Sequence, residues 1–94
     1  MNKTSYKELT EIDPHLAECH LFLHNDDVHS FEYVAGAVTE ATQFQPLQVE
    51  QIVLIAHNSG KAHVKMGSWE QIHPMHAVLE RRGLIAEIKK EFNG

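Results

Sequence analysis

Ninety-four residues supply one domain with a core able to fold alone and leave no room for a second. A formal charge of −5 argues against a nucleic-acid binder, which normally carries a basic face, and mildly favours cationic partners. With 43% hydrophobic residues, 22% charged ones and no apolar run near the ~20 residues of a membrane span, the composition is that of a soluble globular domain.

Residues 1–17 mix charged and polar types around Pro14 without either regular period, and are expected to form a flexible arm before a single core domain over 18–94. Met1 to Asp13 lacks the apolar stretch of a signal peptide, and Cys19 stands alone, which excludes an internal disulfide. Both point to the cytoplasm. From Cys19 to His24 the chain alternates, with Cys19, Leu21 and Leu23 on one face and His20, Phe22 and His24 on the other, which predicts a strand. Asn25-Asp26-Asp27 ends it with turn-forming residues.

Phe31, Val34, Val38 and Ala41 recur at helical spacing and predict a helix over 30–42. Pro46 suits the first turn of a second helix, whose stripe is Val49, Ile52, Val53 and Ala56, widened by Ile55. Gly60 falls where a left-handed C-terminal cap belongs. Ala62, Val64 and Met66 then alternate with Lys61, His63 and Lys65 as a half-buried strand. Ser68 and Gln71 have the spacing of a capping box for a third helix carrying Ile72, Met75 and Leu79. Pro74 implies either a kink in that helix or a regular helix that starts only at the proline. Leu84 to Ile88 reads as a last short strand. The order β-α-α-β-α-β predicts a small α+β domain, a three-stranded antiparallel sheet with three helices packed on one face.

Two segments carry chemistry. Asn25, Asp26 and Asp27 gather two carboxylates and a carboxamide at a strand end, an acceptor-rich corner suited to a small cation with several donors, such as an ammonium group. A turn or helix cap accounts for one such residue and leaves the other acceptors to be explained. His57 ends the second helix, where an imidazole read alone is more a cap on the last carbonyls than a ligand; the ligand reading requires its ring to face the acceptor corner. Other chemistries find less support. Gly60-Lys61 lacks the preceding glycine and following hydroxyl of a phosphate loop, since Ile55 and Ala62 stand there. His20 and His24 lie about 13 Å apart along a strand. His73 and His76 have i, i+3 spacing without a completing carboxylate motif, so no metal site and no cofactor is predicted. No nucleophile motif or spaced carboxylate pair is present, so no catalytic residue is assigned.

The strand, Asn25-Asp26-Asp27, a helix entering with Glu32-Tyr33-Val34, and His57-Asn58-Ser59-Gly60-Lys61-Ala62 together resemble the ClpS adaptor family. The likeness is best from about Leu21 to Met66. It implies the ClpS fold, which is similar to the C-terminal domain of the ribosomal stalk protein, and a non-enzymatic adaptor. Such an adaptor holds a substrate's free α-amino group and bulky first residue and delivers the substrate to a AAA+ protease.

Carried over, Asn25, Asp26 and His57 would hold the amine. Asp27, His29, Phe31, Val34, Val53, Ala56 and Leu84 would wall the side-chain pocket for Leu, Phe, Tyr or Trp. Glu70 would contact the N-domain of a ClpA- or ClpC-type unfoldase. The chain departs from the family where His29 replaces a threonine, Ser30 a proline, Phe31 and Val53 methionines, and Met75 a lysine. Those departures keep open a divergent interaction module that retains the fold and binds something else. A metal-binding or hydrolytic protein centred on His73 and His76 is the remaining alternative.

Overall fold

A computed structural model describes residues 17–91, and the predicted arm falls almost wholly outside them. The strand β1 covers Glu18–His24, followed by α1 over Phe31–Thr42 and α2 over Pro46–Ser59. Then come β2 over Lys61–Gly67, α3 over Trp69–Arg81 and β3 over Ala86–Glu91. The predicted order is realised. β1 is the central strand of an antiparallel sheet ordered β2-β1-β3, so its residues set the axis of the domain.

Alternation along β1 puts Cys19, Leu21 and Leu23 on one face, where all three are completely buried. α2 and α3 cover that face, and α1 packs across both of them, adding Val34, Ala37 and Val38 to the same core. Among the described residues no helix covers the opposite face of the sheet, which mixes the polar His20, His24 and His63 with Phe22 and Met66. Among the described residues no helix is long and apolar enough to cross a membrane.

Local chemistry explains the helix ends. Ser30 caps α1 by accepting from the Tyr33 N–H, and Pro46 occupies the first turn of α2. α2 ends at Gly60, whose φ of 90° lies in the left-handed region and whose N–H donates to the Ala56 carbonyl. Ser68 and Gln71 form the reciprocal capping box of α3, so this helix begins at Trp69 and runs continuously through Pro74. A helix starting only at the proline is thereby set aside.

Three local expectations are corrected. Met66 was expected inside but is 50% exposed. The pairing steps from Leu21↔Lys65 to Phe22↔His63, which leaves Val64 as an extra residue. That bulge shifts the period-2 parity, so Val64 and Ala62 face the core while Met66 lies opposite His20 on the open face. Ile55 does not widen the α2 stripe and is 47% exposed. The last strand starts at Ala86 rather than Leu84, because Leu84 belongs to the end of α3. The Leu84 N–H donates to Leu79 and the Gly83 N–H to Glu80, with Gly83 at φ 81°, a Schellman closure that buries Leu84 with Leu79.

Candidate functional site

Two backbone hydrogen bonds assemble the site. The His24 N–H donates to the Ile85 carbonyl at 2.9 Å, and the Asn25 N–H to the Gly60 carbonyl at 2.9 Å. The second bond clamps the acceptor corner to the C-terminus of α2. His57, in the last turn of that helix, is thus brought beside residues some thirty positions earlier in the chain. Between them opens a pocket of about 340 Å³, at the small end of ligand cavities and suited to one large side chain.

Asn25, Asp26, Asp27, His29, Phe31, Val34, Val53, Ala56 and His57 all line this pocket. Leu84 does not; it sits in the hydrophobic core after α3. Glu70 lies elsewhere, exposed in the first turn of α3, where a carboxylate also complements the helix dipole. Leu23 and His24 line the pocket as well and escaped sequence reasoning. Their signal was their place, the last inward residue of the strand and the residue just before the acceptor corner.

Asp26 is the electrostatic centre. Its side chain is only 8% exposed. Oδ1 accepts from the backbone N–H groups of Val28 and His29, each at 2.7 Å, and Oδ2 lies 2.6 Å from His29 Nδ1. Desolvation alone would raise this carboxyl's pKa. The donors from His29 backbone, His29 imidazole and Val28 backbone outweigh that effect and hold it below the ordinary value. A carboxylate offers about four acceptor positions. Both on Oδ1 are filled from within, which leaves one on Oδ2 for a ligand.

Asn25 Nδ2 donates to Asp27 Oδ1 at 3.1 Å, which turns its carbonyl oxygen into a free-standing acceptor at the pocket. The exposed imidazole of His57 can supply a third acceptor when neutral. Three acceptors thus converge on a pocket whose remaining wall, Leu23, Phe31, Val34, Val53 and Ala56, is apolar.

His29 has a role that the sequence did not reveal. Its ring stacks on Tyr33 at 4.6 Å and 13° while its Nδ1 faces Asp26. Tyr33 donates its hydroxyl to the Arg82 carbonyl at 2.8 Å, and the Arg82 guanidinium lies 5.2 Å above the tyrosine ring. Arg82 Nε in turn contacts Glu40 Oε1 at 2.8 Å. Asp26 is therefore braced through α1 against the end of α3.

The lowered pKa of Asp26 makes stability depend on pH. A carboxyl whose folded pKa lies below its unfolded one adds stability above the unfolded value of about 3.9 and loses it as pH falls through the folded value. Urea unfolding should show wild type more stable than Asp26→Asn at neutral pH, with the gap closing below about pH 4. A pH-independent gap would mean that the charge of Asp26 contributes nothing to folding.

The histidines singled out for metal binding are used otherwise. His73 stacks on Trp69 at 4.7 Å, while His76 places Nε2 3.0 Å from the Ala86 carbonyl and Nδ1 3.4 Å from Glu80 Oε1. They make separate local contacts and do not converge on a shared site.

Convergent acceptors over an apolar one-residue pocket, on a three-stranded sheet under three helices, define the site of a small α+β domain. The family model described as ATP-dependent Clp protease adaptor protein ClpS matches residues 15–87, and the chain belongs to the ClpS family. Among solved structures, Agrobacterium tumefaciens ClpS2 bound to L-phenylalaninamide superimposes with a TM-score of 0.68 at 17% sequence identity, covering 81% of this chain and 99% of that one. A comparison with curated proteins finds no match.

Proposed function

We propose that this chain is an N-degron adaptor. Its pocket takes the free α-amino group and first side chain of a substrate, and the bound substrate passes to a Clp-type AAA+ unfoldase in the cytoplasm. The observation that carries this reading is the nearly buried, charged Asp26, with one acceptor position left on Oδ2, beside Asn25 and His57 at the mouth of an apolar pocket. An α-ammonium, whose unperturbed pKa is about 7.7–8.0, is mostly charged at neutral pH and offers three donors for those three acceptors. The ligand held by the Agrobacterium ClpS2, an amino-acid amide with an aromatic side chain, has the same chemistry.

The gross energetics are of the order that micromolar binding of one residue plus a short backbone requires. Burying one large apolar side chain contributes about 1.5–3 kcal/mol, and each charge-assisted hydrogen bond about 1.5–3 kcal/mol before ordering costs. Micromolar binding needs about 8 kcal/mol. Phe31 and Val53 shape the wall in place of two flexible methionines of the family, and a rigid ring adapts less to different guests. A preference narrower than Leu, Phe, Tyr and Trp together is expected.

Fluorescence anisotropy with peptides beginning in Leu, Phe, Tyr, Trp or Val, each free and N-acetylated, tests both points. Free bulky termini should bind with micromolar affinity and unequal strength, while the acetylated forms, stripped of charge and most donors, should not bind. Equal binding of acetylated peptides would sink the proposal. Equal affinity for Leu, Phe, Tyr and Trp would sink only the narrowed preference.

Docking to the unfoldase is assigned to the exposed Glu70 on α3. A specific observation favours a second reading, in which the fold binds substrates without delivering them. Met75 stands where the family has a lysine, and its side chain packs against the core, so a charged contact is missing from that surface. Unfoldase binding by the wild-type chain that is lost in Glu70→Ala supports delivery through Glu70; no unfoldase binding by a wild-type chain that still binds peptide supports the second reading.

A further inference from the structure

The open face of the sheet holds a second cluster of ligand atoms. β1 places Glu18 and His20 on that face, and antiparallel β3 sets Glu91 directly opposite Glu18. His20 Nε2 lies 3.2 Å from Glu18 Oε1 and 2.9 Å from Glu91 Oε1. One ligand atom from each of the three lies within 4.8 Å of both others. A tetrahedral zinc ion with bonds of about 2.0–2.2 Å keeps its donors roughly 3.3–3.6 Å apart, so small side-chain movements would close the cluster around an ion.

Two features set this cluster apart from a chance grouping of surface acids. Like charges directly opposite in an antiparallel pair repel, yet Glu18 and Glu91 both lean on one imidazole nitrogen. A divalent cation in place of that nitrogen's proton would neutralise both. The other nitrogen of His20 is also engaged, with Nδ1 3.0 Å from His63 Nε2. A metal on Nε2 would make Nδ1 the protonated nitrogen, donating to His63. Histidine ligands are commonly oriented by a hydrogen bond from their second nitrogen, and such partners tune affinity about 10–100-fold. The His20 side chain is 17% exposed and its ring packs near that of His63, so it is held in place before any ion arrives.

We propose that Glu18, His20 and Glu91 bind a divalent transition metal of the zinc type, with His63 orienting His20. One imidazole and two carboxylates suit zinc, whereas magnesium and calcium prefer oxygen donors throughout. Three protein ligands leave a fourth position for water or a partner's side chain. His20 and His24 do not chelate together, since His24 instead contacts Glu87. The partners of His20 come from across the sheet and from two positions earlier on its own strand. Along β1 this cluster lies roughly 17 Å from Asn25, so metal and peptide sites are separable.

Isothermal titration of Zn²⁺ into the metal-stripped full chain tests the assignment. Wild type should take one equivalent. His20→Ala should weaken it roughly 100-fold, and Glu18→Gln, Glu91→Gln and His63→Ala each at least about tenfold. A His73→Ala/His76→Ala double variant should bind as wild type does, and Mg²⁺ should not compete. Circular dichroism checks that the variants fold. Absence of Zn²⁺ binding by wild type, or binding that survives His20→Ala in a folded protein, overturns the proposal.

Discussion

Replacing Asp26 with asparagine should weaken binding of a Phe-initiated peptide by roughly 100-fold, the loss of about 3 kcal/mol expected when a nearly buried charge-assisted hydrogen bond goes. Asparagine is the informative choice. Its Oδ1 can still accept from the Val28 and His29 N–H groups, which cap the turn at 2.7 Å, so the corner keeps its shape while losing its charge. Asp26→Ala removes both roles and should add a stability loss of about 1 kcal/mol, the usual cost of a lost cap. Anisotropy read beside thermal unfolding separates the two. Wild-type affinity in a folded Asp26→Asn would mean that the amine is not held at Asp26, and the N-degron reading would fall with it.

His29 makes this prediction sharper for this chain than for a member with threonine there. Its Nδ1 already lies on Asp26 Oδ2, so an ammonium bound as proposed would share that oxygen. The same imidazole fixes the carboxylate through its stacking on Tyr33 and, beyond that, on the end of α3. Preorganisation and competition therefore reside in one residue.

The parts of the fold that the sequence disclosed are those where one period dominates. β1 alternates without interruption and α2 keeps a regular stripe to Ala56, so the element order could be read directly. Where one residue serves two structures, the pattern misled. Leu84 continues the alternation toward Ile88, yet its N–H and side chain are used by the Schellman end of α3. The bulge at Val64 adds one residue without any marker such as glycine, and so Met66 was assigned to the wrong face.

The pocket was less legible still. Asn25-Asp26-Asp27 and His57 could be connected only by resemblance, because the bond that joins their segments, Asn25 N–H to the Gly60 carbonyl, involves backbone alone. The Asp26–His29 contact is only three residues long, but it depends on an imidazole rotamer set by Tyr33, one turn into the next helix. The zinc-type cluster needs a cross-strand register that no single strand encodes.

Leu23→Ala should have the opposite profile to Asp26→Asn, a large loss of stability with the amine site intact. Leu23 is completely buried on the central strand and also backs the pocket. Truncating such a leucine costs about 2–5 kcal/mol through lost burial and the cavity left behind, a large share of the roughly 5–15 kcal/mol of a typical domain. The new space adjoins the pocket, so the guest's side chain can use part of it. Peptides beginning in Trp should therefore gain on those beginning in Leu, even as the urea midpoint falls. A midpoint close to wild type would show that the helix layer closes over the gap. An unchanged Trp-to-Leu ratio would place the pocket's inner limit at Val34, Val53 and Ala56 instead. Taken with Asp26→Asn, the two variants separate the group that holds the charge from the surface that measures the side chain.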